Sequence, residues 1–221
     1  MNYKEIIFES NLPVLKLELD YPYKEMYEEL NALKKNSVSQ IGNDEWKGCT
    51  LRGLAADKPR PYYEYGYSKE KDVPYIWTDF SELCPKTVNY IKQYFTDEEL
   101  FRVKLNILKP QGKIHLHTDS KLSGLGISDK SSDKNTTYIA LGIFWPKDVI
   151  FNLGDIRIPF KTGDAYLIDF SLPHEVYNPT NFDRYYLVIT GNFHNNSKWR
   201  KIVSDSYEKN SSNKLPSKFN I

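Results

Sequence analysis

The 221-residue sequence has little of what marks several large protein classes. Its two cysteines, Cys49 and Cys84, are too few for a disulfide framework and lack metal-ligand spacing, so both are expected to be reduced thiols. There is no excess of charge: 30 basic against 29 acidic residues leave +1, which recruits neither nucleic acid nor an anionic membrane surface. No run approaches the roughly 18 apolar residues of a membrane span. The opening stretch MNYKEIIFESNLPVLKLELD carries acidic residues where a signal peptide needs unbroken apolar sequence. No internal repeat is visible. These absences lead to the expectation of one soluble, cytoplasmic domain. A hydrophobic share of 40% and an aromatic share of 14% can supply its core, which excludes disorder of the whole chain.

What is present divides into three parts. Residues 1–100 read as mixed helical and irregular. Met26, Leu30 and Leu33 have helical spacing within a helix expected over 23–35, and Pro85 opens a second over 85–95 with Val88, Ile91 and Phe95 on one face. Between them, residues 56–80 form a Pro- and Tyr-rich connection that includes Tyr62, Tyr63, Tyr65 and Tyr67. In residues 101–194 the texture changes to short runs rich in β-branched and aromatic residues: FRVKLNILK, GKIHLHTD, TTYIALGIFW, DVIFNLG, DIRIPF, DAYLIDF, HEVYNP and DRYYLVITGNF. Such a series predicts a mainly β fold, a double-stranded β-helix or jelly roll, with the N-terminal helices packed on one sheet. Residues 120–135 form a long polar loop suited to a lid or binding role. Residues 195–221 read as a polar, loosely held tail.

The chain has four histidines, at 115, 117, 174 and 194. Strand alternation puts His115, His117 and Asp119 on one face of GKIHLHTD, where an imidazole and a carboxylate can converge on one ion. His174, brought back by the intervening strands, is the candidate third ligand. Two histidines and one carboxylate suit Fe(II) and leave positions open, whereas a closed zinc site wants a fourth protein ligand. His115 is an alternative ligand or a pocket residue, and His194 suits a capping or packing role. Arg184 stands ten positions after His174, at the start of the apolar strand RYYLVIT. A guanidinium entering such a strand needs an anion. That anion is either a carboxylate ligand held by the guanidinium fork or a structural partner such as Asp169 or Asp183. Arg102, Lys104 and Asn106 make a polar stripe that would face an acidic substrate if that strand points inward.

Three stretches, LNILKPQGKIHLHTD, TTYIALGIFWP and GDAYLIDFSLPHEVYNPTNFDRYYLVITGNFH, resemble the 2-oxoglutarate/Fe(II) oxygenases and most closely their aspartyl/asparaginyl β-hydroxylase branch. The resemblance runs from Leu105 to His194. It implies iron held by His117, Asp119 and His174, with Arg184 on the distal carboxylate of 2-oxoglutarate and Tyr138 near the carboxylate closer to the metal. It further implies use of O2 to hydroxylate an unactivated C–H of an amino-acid-like or peptidyl substrate, with succinate and CO2 as co-products. The chain departs from the branch in two places. Asp119 stands where the mammalian-type members have Gly, and Tyr138 and Ala140 stand where basic residues are expected. Related halogenases have a small residue at the position of Asp119, so its presence favours hydroxylation.

Two other readings share the expected fold. A cupin would use His115, His117 and His174, with Gly163 and Asn178 in its second motif. It lacks the glutamate expected after H-x-H, where Lys121 and Leu122 stand, and gives Arg184 no task. A non-catalytic jelly-roll binding module would hold a sugar or peptide without turnover of 2-oxoglutarate. The expected partner is a small-molecule or peptidyl substrate, with neither nucleic acid nor membrane.

Overall fold

The structure, a computed structural model, describes residues 5–6, 12–40, 42–56, 58, 62–68, 72–119, 136–170 and 172–210. Helix α1 (Tyr23–Ala32) runs on into a 3-10 turn, Leu33–Asn36, and the expected stripe of Met26, Leu30 and Leu33 is fully buried. A short α2 (Asp79–Glu82) precedes α3 (Pro85–Tyr94), whose first turn carries Pro85 as anticipated. Glu29 of α1 accepts hydrogen bonds from Lys86 N, Thr87 N and Thr87 Oγ1 at 2.8, 2.9 and 2.8 Å. A carboxylate there satisfies donors that the start of α3 leaves open and ties the two helices together.

All eight strands expected after residue 100 form: β5 (Leu100–Leu108), β6 (Lys113–His117), β7 (Thr137–Phe144), β8 (Ile150–Leu153), β9 (Ile156–Arg157), β10 (Ala165–Ile168), β11 (His174–Tyr177) and β12 (Arg184–Gly191). The first hundred residues are less irregular than expected. They contribute β1 (Val14–Leu17), β2 (Val38–Gln40), β3 (Asn43–Gly53) and β4 (Ile76–Trp77). All four join the larger sheet, ordered β1-β10-β7-β12-β5-β3-β2 with β4 beside β3; the smaller sheet runs β6-β11-β8-β9. β3 escapes notice in NDEWKGCTLRG because its inner face presents Trp46, Gly48 and Thr50 rather than a row of aliphatic residues.

The two faces of the larger sheet bury different cores. Leu105, Leu187, Ile189, Ile139 and Leu141 meet Met26, Leu30, Ile91 and the other helical residues on one side. Leu108, Ala140, Tyr166, Ile168 and Tyr186 meet Ile114, Phe151, Leu153 and Val176 of the smaller sheet on the other. This is the expected jelly roll, with helices on one sheet and a second core between the two sheets.

The tail expected to be loose is in large part a helix, α4 (Ser197–Asn210). Asn196 Oδ1 accepts from Trp199 N at 2.9 Å, and its amide donates to Tyr94 O at 2.7 Å, so one side chain caps α4 and anchors it to α3. Trp199, Val203 and Ser206 are its only buried positions, a stripe too narrow to show in so polar a sequence. Trp199 lies 5.9 Å from the rings of both Phe95 and Phe193. Residues 211–221 and the 120–135 loop lie outside the described residues, as does part of the 56–80 connection, in which Tyr62–Tyr65 is a 3-10 turn. No helix among the described residues is long and apolar enough to cross a membrane.

Trp199→Ala should lower the unfolding free energy by about 3–5 kcal/mol in urea titrations, the usual cost of emptying a buried tryptophan site. A loss under about 1 kcal/mol, as for a surface position, would show that α4 is not part of the fold.

Candidate metal centre

The site forms where β6 ends and β11 begins. These strands are antiparallel, and His117, the last residue of β6, pairs with His174, the first of β11. The register shifts by one residue between this pair and the next, Val176 with Ile114. A bulge of this kind resets the alternation of side chains. Ile114 and His117 therefore both face inward, while His115 is exposed and Leu116 is 64% exposed between them. The expectation that His115 shares a face with His117 is overturned, and with it the use of His115 as a ligand or the first half of a cupin H-x-H motif.

Asp119 follows directly, its backbone N donating to Phe170 O at 3.0 Å. His117, Asp119 and His174 present one ligand atom each within 4.8 Å of one another, a group that can hold a metal ion. Asp119 Oδ1 lies 3.5 Å from His117 Nε2 and 4.0 Å from His174 Nε2. The other ring nitrogens are engaged with backbone: His117 Nδ1 is 2.7 Å from His115 O, and His174 Nδ1 is 2.9 Å from Leu172 O. Carbonyl oxygens only accept, so each Nδ1 carries the proton and each Nε2 turns a lone pair toward the centre.

Electrostatics suit the same use. Burial lowers the His174 pKa, against the pull of Asp119, and keeps the imidazole neutral as a ligand must be. Burial pushes the Asp119 carboxyl up, but the neighbouring His117, His174 and Lys104 side chains outweigh that and hold it below the ordinary range. Aromatic rings wall the group, with Phe170 centred 4.9 Å from His174 and Trp46 6.0 Å from His117. Tyr138 is half-buried and edge-on to Phe170 at 5.6 Å. His194, after β12, stands outside the ligand group, its backbone N on Asn192 Oδ1 at 3.4 Å.

Arg184 is only 1% exposed and makes no ion pair among the described residues. Asp183, a suggested partner, pairs instead with Lys34. The guanidinium carbon sits 4.9 Å from the ring centres of both Trp145 and Tyr186. Arg184 Nε, Tyr186 Oη and Trp145 Nε1 are all buried without a hydrogen-bond partner. Burial alone brings the guanidinium down to about 10, with Tyr186 opposing. Three buried donors, one of them on an unpaired cation, are costly unless an anion completes them. Tyr186 was legible as the inward neighbour two residues along from Arg184; Trp145 carried no signal in the sequence.

The sequence pattern of the family described as Aspartyl/Asparaginyl beta-hydroxylase matches residues 9–192. The chain belongs to this family. No curated protein matches it. Among solved structures it is similar to an oxidoreductase of the 2OG-Fe(II) oxygenase family from Burkholderia pseudomallei, at 13% identity over 88% of this chain and 90% of that one, with a TM-score of 0.49. It is also similar to the viral collagen prolyl hydroxylase of Paramecium Bursaria Chlorella virus-1, at 11% identity over 81% and 95%, with a TM-score of 0.45. A cupin domain from Bordetella pertussis aligns over 43% of this chain and 83% of its own, at 13% identity and a TM-score of 0.30. As a member of the aspartyl/asparaginyl β-hydroxylase family, the chain falls in the 2-oxoglutarate/Fe(II) oxygenase superfamily.

The bulge separates two adjacent histidines by function. In calorimetric Mn(II) titrations His117→Ala should weaken binding at least about 100-fold, the upper end of what even outer-sphere partners cost. His115→Ala should stay within about twofold, since it keeps the backbone carbonyl that holds Nδ1. Equal losses from both would place the bulge wrongly.

Proposed function

We propose that this protein is an Fe(II)- and 2-oxoglutarate-dependent dioxygenase that hydroxylates an unactivated C–H of an amino-acid-like or peptidyl substrate. The carrying observation is the unpaired, buried Arg184 in the same inter-sheet space as a three-residue ligand group. A ligand that brings a carboxylate to Arg184 and leaves donor atoms for a metal would satisfy both, and 2-oxoglutarate has that shape.

His117, Asp119 and His174 would hold the iron, with two neutral imidazoles and one carboxylate reducing its charge to +1. Three protein ligands leave the remaining positions for the co-substrate and O2. With O2 as the oxidant, bound iron and 2-oxoglutarate would supply the hydroxylating chemistry: 2-oxoglutarate would give up two electrons and CO2 and take one oxygen atom to become succinate, and the other oxygen atom would go to the substrate C–H. The chain's own residues set the conditions. Arg184, Tyr186 and Trp145 fix the far carboxylate through charge-assisted hydrogen bonds in a low-dielectric wall, where such bonds are strong. Tyr138 is assigned the carboxylate nearer the metal. Phe170 and Phe151 pack against His174 and Trp46 against His117, which holds the imidazole planes and leaves the exposed Asp119 side open to an entering ligand. Asp119 fills with a carboxylate the position at which a halide would otherwise bind, which favours hydroxylation.

The test is anaerobic addition of Fe(II) and then 2-oxoglutarate, followed by exposure to O2 and assay of succinate. The wild-type protein should form succinate, slowly without substrate. Arg184→Gln should raise the 2-oxoglutarate concentration needed by about 10–100-fold, the loss expected for one charge-assisted bidentate contact. Absence of both succinate and any 2-oxoglutarate-dependent change in the wild-type protein would leave a metal-binding jelly roll without this chemistry.

A further inference from the structure

The wall opposite the ligand group carries a second set of polar side chains that neither the metal nor Arg184 uses. Lys104 and Asn106 lie two apart on β5, paired with Thr50 and Gly48 of β3. This face looks into the sandwich, because Trp46 of the same β3 face lies tilted against His117, ring centres 6.0 Å apart, and donates from Nε1 to Asn106 Oδ1 at 3.1 Å. Lys104 crosses β3 sideways. Its Nζ reaches Gln40 Oε1 at 2.5 Å and stands 5.6 Å from the centre of the Trp46 ring. Gly48 makes that path possible: a Cβ there would meet Lys104 Cε, Gln40 Nε2 and the backbone oxygen of Leu105, each at 3.0 Å.

The set is short of acceptors. Lys104 has no ion pair among the described residues, and Gln40 engages one of the three donors of its ammonium. Asn106 is buried with its oxygen taken by Trp46, and its Nδ2 has no hydrogen-bond partner among the described residues. Thr50 Oγ1, across the strand from Lys104, is buried without a partner. Burial and the charge of Arg102 bring the Lys104 ammonium down to about 7, with Asp119 alone pulling it up. Asp119 belongs to the ligand group, so the cation and the two neutral donors await an acceptor from outside.

We propose that Lys104, with the Asn106 amide and the Thr50 hydroxyl, anchors a carboxylate of the substrate, so that the protein acts on acids rather than on neutral molecules. One ammonium flanked by neutral donors matches the single charge and planar oxygens of a carboxylate; a phosphate dianion would leave charge unpaired. The proposal rests on the dioxygenase reading and names the substrate class of that same site.

The test is calorimetry on protein loaded with Mn(II) and 2-oxoglutarate. It is titrated with the common L-amino acids and with straight-chain mono- and dicarboxylic acids, each against its primary amide. At least one acid should bind about tenfold or more tightly than its amide, as a charged hydrogen bond implies. Lys104→Met should reduce that preference to less than about twofold, and Lys104→Arg should restore part of it. The 2-oxoglutarate affinity of Lys104→Met should stay within about twofold of wild type. Removing a buried charge should not harm folding, which thermal melting checks, and Lys104→Gln serves if Lys104→Met fails to fold. Three results would overturn the proposal: no acid binds, acid and amide bind alike, or Lys104→Met weakens 2-oxoglutarate itself. Failure of wild-type protein to bind 2-oxoglutarate would instead sink the dioxygenase reading, so the two failures are separable.

Discussion

The pairing of His117 with His174 at the edge of the smaller sheet sets the geometry on which the rest of the centre depends. Strand β6 carries one residue more than β11 between this pair and the next. That extra residue turns His117 inward after Ile114 has already faced inward, and it frees the following turn to bring Asp119 back against Phe170 O. Without the bulge, Leu116 would point at the cavity and His117 at solvent. The register therefore decides which of the polar residues in GKIHLHTD can share an ion. The backbone carbonyls of His115 and Leu172 then decide which nitrogen each imidazole offers.

A second constraint comes from the larger sheet. Its outer face packs helices and is apolar, whereas its inner face departs from apolar packing at Arg184, Tyr186, Lys104, Asn106 and Thr50. Burying such groups without full partners costs stability, and the surrounding core must offset it. The two unpaired cations lie on neighbouring strands, Arg184 opposite Leu108 and Lys104 opposite Val188. Between these positions sits Tyr186, opposite Asn106. This spacing separates one anion subsite from the other along the sheet, with the ligand group facing them from the smaller sheet.

Much of this was legible in the residues. The eight strands after residue 100 announced themselves through β-branched runs and turn residues, and the two helices through spacing of Met26, Leu30 and Leu33 and the position of Pro85. His117, Asp119, His174 and Arg184 stood out as candidates in the sequence, and the structure brings the first three within reach of one ion and buries the fourth. Three things were hidden. The bulge in β6 has no signature in GKIHLHTD, so His115 looked equivalent to His117. Strand β3 lacked an aliphatic row, because it turns Trp46, Gly48 and Thr50 toward the smaller sheet. The helix α4 depends on Trp199, Val203 and Ser206, and its stability comes from contacts with Phe95 and Phe193 that are distant in sequence. In each case tertiary packing or register carries the information, and local pattern does not.

The proposed function requires the three-residue metal group and the buried Arg184 to hold one molecule of 2-oxoglutarate between them. The most direct measurement is diffraction from crystals grown with Mn(II) and 2-oxoglutarate, using the anomalous signal of manganese. A single anomalous peak is expected among His117 Nε2, His174 Nε2 and the Asp119 carboxylate. The far carboxylate of 2-oxoglutarate should lie on Arg184 with Tyr186 and Trp145 beside it. A metal held elsewhere, or 2-oxoglutarate bound with Arg184 still unpaired, would contradict the proposed function.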